Sequence, residues 1–277
     1  MPELPEVRAL AERLGVILVG RHLEDLDVLG FSGLKTVAPS PAELVGSRLS
    51  GSSSRGKFLV LSFDERRALV HLGNSGRLDL EVPPKRTRPR GSLARLAFGE
   101  TAVLIRERGS ERRAGLWMLG VGDDGPLALL GPEPYEDAFA DFARTSEDRR
   151  HLHSVLRDQR TVAGIGRGYA DDILHRACLS PFASLSGMDP ASRERLLGSV
   201  REVLDDALRS ERERTGGLSA ASLGDRFTVH RRAGELCPRC GRRLERVSYT
   251  SHEIVYCPTC QTGGRVLADR RLSRLLR

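Results

Sequence analysis

Lysine is nearly absent from this 277-residue chain: Lys35, Lys57 and Lys85 stand alone, leaving arginine as 41 of the 44 basic residues. A lysine retained against that bias is a candidate for a place where an amine is needed, and Lys57 is the one singled out below. Long hydrophobic runs are lacking too. No stretch approaches the roughly 18 apolar residues that span a bilayer, and Glu3 and Glu6 interrupt any signal-peptide pattern at the start, so a cytoplasmic protein without membrane contact is expected. Cysteine is limited to five residues, four of them in two close pairs. What is present is enough for a globular protein, since a hydrophobic fraction of 39% over this length can build two cores.

The net charge of +7 is uneven, because residues 226–277 hold twelve arginines against four acids. A basic segment of this size attracts a polyanion by releasing condensed counterions, which points to nucleic acid. By charge alone a solvated, arginine-rich surface reads the same way.

The order of patterns suggests an α+β chain in two halves. After the opening MPELPEV, the run VRALAERLGVILVG repeats apolar residues at Val7, Leu10, Leu14 and Ile17, the period of a helix with one buried face. From about residue 20 to 130, short runs such as KFLVLSF, RRALVHL, SLARLAF, TAVLIRE and LWMLGV are broken by Gly, Pro, Ser and Asp, which predicts an antiparallel β-sandwich or barrel. Residues 1–130 form the expected first domain, 131–148 a linker, 149–225 a helical domain and 226–277 a finger. In the helical part, DQRTVAGIGRGYADDIL sets a glycine-rich turn before a helix start, where unpaired N–H groups can take a phosphate. An ordinary tight helix–turn–helix corner has the same composition.

The sharpest local pattern is CPRCGRRLERVSYTSHEIVYCPTC, with Cys237 and Cys240 forming one C-x-x-C and Cys257 and Cys260 the other. That spacing suits a ribbon in which two knuckles present four thiolates to one structural Zn²⁺ across a β-hairpin. Disulfides are the alternative, disfavoured in a reducing compartment. The fifth cysteine, Cys178, is expected to be a small core residue.

Taken in order, MPELPEV, SRGKFLV around Lys57, DQRTVAGIGRGYADDIL and a ribbon ending CPTCQ resemble the formamidopyrimidine-DNA glycosylase and endonuclease VIII family. The resemblance runs from end to end. It implies a helix plus β-sandwich, a helix–two-turn–helix domain and a zinc finger, acting in base-excision repair on double-stranded damaged DNA at the nucleoid. It also implies that Pro2, exposed by removal of Met1, is a secondary-amine nucleophile toward the sugar C1′. Glu3 is then the acid that helps open the deoxyribose, Glu6 steadies the N-terminal segment, and Lys57 contacts phosphate and assists catalysis. A monomer is the default.

The DNA-contacting positions depart from the family pattern. His71 matches a phosphate-contacting histidine, but in HLGNSGRL the gap-filling methionine is replaced by Asn74. In SERRAGLW, Arg113 fits the inserted arginine while the aromatic wedge after it is Ala114. In GIGRGYA the usual asparagine is Arg167, and in the ribbon hairpin the usual arginine is His252, two positions that ordinarily hold the lesion phosphates. Less stacking area, with a short segment after Gly217, suggests a lesion other than 8-oxoguanine: an alkylated, cross-linked or bulky adduct, or else an oxidised pyrimidine. A non-catalytic damaged-DNA binder fits the same changes, although retention of Pro2, Glu3, Glu6 and Lys57 argues against it. A zinc-ribbon transcription or RNA factor explains only the finger.

Overall fold

The computed structural model describes residues 1–109, 113–219, 226–250 and 252–267. The chain divides into two compact units, one of Met1–Leu129 with Leu208–Leu223, the other of Leu130–Ala207 with Gly224–Arg277.

The first unit opens with α1 (Leu4–Leu18), three residues earlier than the apolar period alone predicts. The extension comes from MPELPEV itself. Pro5 sits in the first turn, where a missing N–H costs nothing, and the Glu6 carboxylate reaches back to accept the Glu3 N–H at 2.7 Å. Two four-stranded antiparallel sheets follow. One runs in the order β1 (Asp25–Val28), β6 (Ser92–Phe98), β7 (Thr101–Glu107), β5 (Gly76–Glu81). The other runs β2 (Leu49–Arg55), β3 (Phe58–Phe63), β4 (Arg66–His71), β8 (Gly115–Leu119). Leu59, Leu61 and Phe63 alternate inward along β3 and meet Leu78, Leu96, Phe98 and Val103 of the other sheet, while Leu10, Leu14 and Leu18 of α1 join the same core. This is the sandwich that the alternating runs predict, because a period of two puts one face of each strand on the core.

The second unit holds α2 (Asp137–Thr145), α3 (Leu152–Arg157), α4 (Arg167–Arg176) and most of α5 (Pro190–Glu213). The segment read as a linker carries α2, whose Phe139, Ala140 and Ala143 are buried with Tyr169, Ile173, Leu196 and Val200. Its acidic, proline-containing flanks hid a short apolar face. The ribbon contains β9 (Glu245–Ser248) paired antiparallel with β10 (Glu253–Tyr256), followed by α6 (Pro258–Thr262).

Cys178 corrects an expectation. It is exposed, not buried, because it follows the last turn of α4 in a left-handed conformation (φ 54°) that turns its side chain away from the core. Its sulfur meets the Arg239 guanidinium.

Candidate functional site

At the start of α1, Pro2, Glu3 and Glu6 are brought together and buried, Glu3 at 3% and Glu6 at 6% exposure. The hydrogen bond from the Glu3 amide to Glu6 fixes this turn. Pro2 and Glu6 line a cavity of about 20 Å³ with Arg13, Leu72, Arg77 and Ser219, room for a water molecule and not for a base. The far wall of that cavity belongs to residues 211–219, clamped on α1 and β5. Arg212 makes a two-pronged ion pair with Glu12 at 2.6 and 2.8 Å, Arg13 donates to the Leu218 carbonyl at 3.2 Å, and the Leu78 N–H donates to the Ser219 hydroxyl at 2.9 Å.

Lys57 is buried at the turn between β2 and β3. Strand register then carries the site onward, with Phe58 opposite His71 and His71 opposite Gly115. Burial first, and the Lys57 charge second, push the His71 pKa down to about 4, against a hydrogen bond with the Arg113 main chain. The ring is therefore neutral near pH 7. Its Nδ1 accepts from the Gly73 N–H at 3.2 Å, so the ring proton sits on Nε2. Below Arg113, the buried Glu107 carboxylate accepts the N–H groups of Arg113 (2.9 Å) and Ala114 (3.2 Å). Arg113 itself is exposed, as is Asn74 in the turn between β4 and β5. Ala114 is 2% exposed and packs into the sandwich core, so this position offers nothing to a DNA stack.

In the second unit, Arg167 opens α4 just after Gly166, and its side chain is exposed. Glycine has two uses here. Gly164, in the turn before the helix, holds φ +99°, and Gly168, in the first turn of α4, lies under Phe227 so closely that an added Cβ would stand 2.2 Å from the ring. His252 sits in the β9–β10 turn, stacked on Tyr249 with ring centroids 4.5 Å apart. Burial, then the charges of Arg157 and Arg167, push its pKa down to about 4. The structure thus brings Arg167 and His252 into one basic cluster with Arg157. A cavity of about 240 Å³ there is lined by His151, His153, Ser154, Arg157, Tyr249 and His252.

Sequence reasoning missed what holds this cluster in place. Asp171 Oδ2 lies 2.6 Å from His230 Nδ1, and Asp171 Oδ1 lies 3.1 Å from His153 Nε2, a close polar contact outside hydrogen-bond geometry. The neighbouring Asp172 accepts the N–H groups of Thr228 (2.7 Å), Val229 (2.9 Å) and His230 (3.2 Å). Desolvation nevertheless raises its pKa to about 6, outweighing the three donors. Two adjacent acids inside an otherwise apolar helical face, GYADDIL, were the available signal.

The Sγ atoms of Cys237, Cys240, Cys257 and Cys260 all lie within 4.8 Å of one another. Pairs at 3.4 Å (Cys240 to Cys257) and 4.0 Å (Cys237 to Cys260) bracket the roughly 3.8 Å edge of a tetrahedron with zinc–sulfur bonds of about 2.3 Å. The donor set fits a closed four-thiolate metal site and does not fit disulfides, whose sulfurs stand about 2 Å apart.

A family model described as the formamidopyrimidine-DNA glycosylase N-terminal domain matches residues 1–111, and one described as the formamidopyrimidine-DNA glycosylase H2TH domain matches residues 130–217. The formamidopyrimidine-DNA glycosylase of Thermus thermophilus is 34% identical over 95% of this chain and 100% of that protein. An uncharacterized formamidopyrimidine-DNA glycosylase-like protein of Mycobacterium tuberculosis is 41% identical over 153 residues, 53% of this chain and 94% of that protein. Among solved structures, a Lactococcus lactis Fpg mutant in complex with Fapy-dG-containing DNA aligns with a TM-score of 0.82 at 25% identity, covering 94% of this chain and 100% of that chain.

Proposed function

Because the chain belongs to the formamidopyrimidine-DNA glycosylase family, we propose that it is a base-excision-repair DNA glycosylase with abasic-site lyase activity and Pro2 as its nucleophile. The observation that carries the reading is the buried Pro2–Glu3–Glu6 turn, where Glu6 shares a cavity with Pro2, a residue that becomes an amine once Met1 is removed, and the buried Glu3 follows it directly in the chain. With Met1 attached, the proline nitrogen is an amide and inert. Freed, it is a secondary amine with a reference pKa of about 7.7–8.0, so a usable neutral fraction exists near pH 7.

The amine attacks C1′ of the damaged nucleotide and the base departs with its bond electrons. The nitrogen loses its proton, the C1′–O4′ bond opens to give an iminium, and loss of the acidified C2′ proton to water then expels the 3′ phosphate. Glu3 supplies the proton for ring opening. Glu6 holds the Glu3 amide and so the turn. Lys57 contributes its charge beside the neutral ring of His71, whose N–H holds the Arg113 main chain in place, and His71, Asn74, Arg113, Arg167 and His252 are the proposed DNA contacts. The target nucleotide has to leave the stack to reach Pro2. Cys237, Cys240, Cys257 and Cys260 hold a Zn²⁺ that cross-links the ribbon and takes no part in the chemistry.

The lesion is proposed to be other than 8-oxoguanine, with bulky or alkylated purines first and oxidised pyrimidines second. Supporting this, Asn74 is short and polar, and Ala114 is committed to the core. Neither can fill the gap left by a flipped base.

The experiment is borohydride trapping on an abasic oligonucleotide, with Pro2→Gly and Glu3→Gln beside the unmodified chain. Covalent complex that disappears with Pro2→Gly and falls sharply with Glu3→Gln is expected. No trapping by protein whose N-terminal sequence begins at Pro2 would rule out the lyase. Release of 8-oxoguanine at least as fast as any bulky or ring-opened base would rule out the proposed lesion class.

A further inference from the structure

We propose that His175 is an outer-sphere residue of the metal site, its imidazole N–H donating to the metal-bound thiolate of Cys237 and fastening α4 to the ribbon. This rests on the zinc reading above. His175 Nε2 lies 3.2 Å from Cys237 Sγ, across 62 residues of sequence. Both residues are buried, at 4% and 2% exposure.

The chemistry follows from counting protons. A cysteine bound to zinc has lost its hydrogen, so its sulfur can only accept. The 3.2 Å contact is then favourable only if Nε2 carries the hydrogen, which fixes the tautomer of His175. Four thiolates around one divalent cation leave two excess negative charges, half-hidden from water, and an N–H aimed at one sulfur offsets part of that excess. The ribbon provides such donors itself, the Arg242 main chain to Cys240 and the Cys260 amide to Cys257 Sγ at 3.5 Å. His175 provides another from outside the ribbon. It stands near the end of the helix that begins at Arg167 and that also accepts the amides of residues 228–230 through Asp172. One helix thereby bears on the metal site at one end and on the basic cluster at the other.

The test uses the full chain as purified. Zinc content is measured first, then the rate and extent of zinc release to a chromogenic chelator, for the unmodified chain, His175→Phe and His175→Gln. About one zinc per chain is expected, with His175→Phe yielding it roughly 10- to 100-fold more readily. His175→Gln, which keeps an N–H donor, should recover much of the difference. Equal release by the unmodified chain and His175→Phe, or equal release by the Phe and Gln variants, overturns the proposal. Nitrogen-15 NMR of the imidazole in the unmodified chain gives a reading that does not depend on any variant folding. A proton on Nε2 is expected, and one on Nδ1 alone overturns the proposal. A chain that neither contains nor takes up zinc would sink the metal reading itself, a different result from equal release.

Discussion

At the scale of single residues, the opening turn uses the same groups for folding and for chemistry. Glu6 closes a helix N-terminus and also buries a carboxylate beside Pro2, so Glu6→Ala is expected to cost about 1 kcal/mol of stability through the lost capping contact, measured by denaturant melts. The two histidines at proposed DNA contacts are neutral at pH 7, each pushed down to about 4, first by burial and then by neighbouring cations. Since the folded pKa lies below the unfolded value of about 6.5, the unfolded chain binds more protons in this window. The contribution of these two groups to stability is therefore full above about pH 6.5 and is lost as pH falls toward 4, while Asp172, raised to about 6, contributes with the opposite sign. A melting series across that range should show the slope, and His71→Gln should flatten it. The same neutrality separates two phosphate candidates. Arg167→Ala should reduce the slope of log affinity against log salt by about 0.9, whereas His252→Ala at pH 7.5 should leave it unchanged.

At the scale of elements, α4 concentrates more of the architecture than its length suggests. Its Gly168 admits the Phe227 ring, which also meets Tyr169 edge-on at 5.3 Å. Gly168→Ala is expected to destabilise by about 1–3 kcal/mol through overpacking, larger than the helix propensity it gains. Gly198, within α5, has nothing within 4 Å of an added Cβ, so Gly198→Ala should raise stability by up to about 1 kcal/mol. Calorimetry on the two variants checks opposite signs for one chemical change. Asp172 offers a second test of the element. Asparagine there would turn an N–H group toward one of the three amides that the carboxylate now accepts, and a loss of about 1–3 kcal/mol is expected.

At the scale of the molecule, the apolar clusters are unequal. The sandwich and the helical unit have extensive ones, while among the described residues the ribbon has two small ones, Val229, Leu244, Val255, Cys237 and Cys257 in one and Val247, Tyr256 and Leu267 in the other. Clusters this small do not by themselves offset the chain entropy of the finger, and a metal held by the four cysteines would supply much of its folding free energy. Removal of metal with a chelator should therefore abolish hydrogen-exchange protection across β9 and β10 while the amides of β3, β4 and β7 stay protected. It should also weaken DNA binding, since the finger carries much of the basic charge that lifts the net value to +7.

Some of this was legible in the linear chain because it is local. Alternation along KFLVLSF marks a half-buried strand, the C-x-x-C pairs mark a knuckle, and four short motifs in order mark the family, all without knowing what touches what. The four thiolates converge because each pair is held by its own tight turn and the hairpin between them returns the chain. Tertiary structure alone decided the rest. That His153, Asp171 and His230 meet, that His175 reaches Cys237, and that Ala114 is buried while Cys178 is not are facts about residues distant in sequence or about the direction a backbone leaves a helix. The same holds for charge. Whether a histidine is a cation or a neutral donor depends on the desolvation and the lysines and arginines around it, and no sequence period encodes that environment.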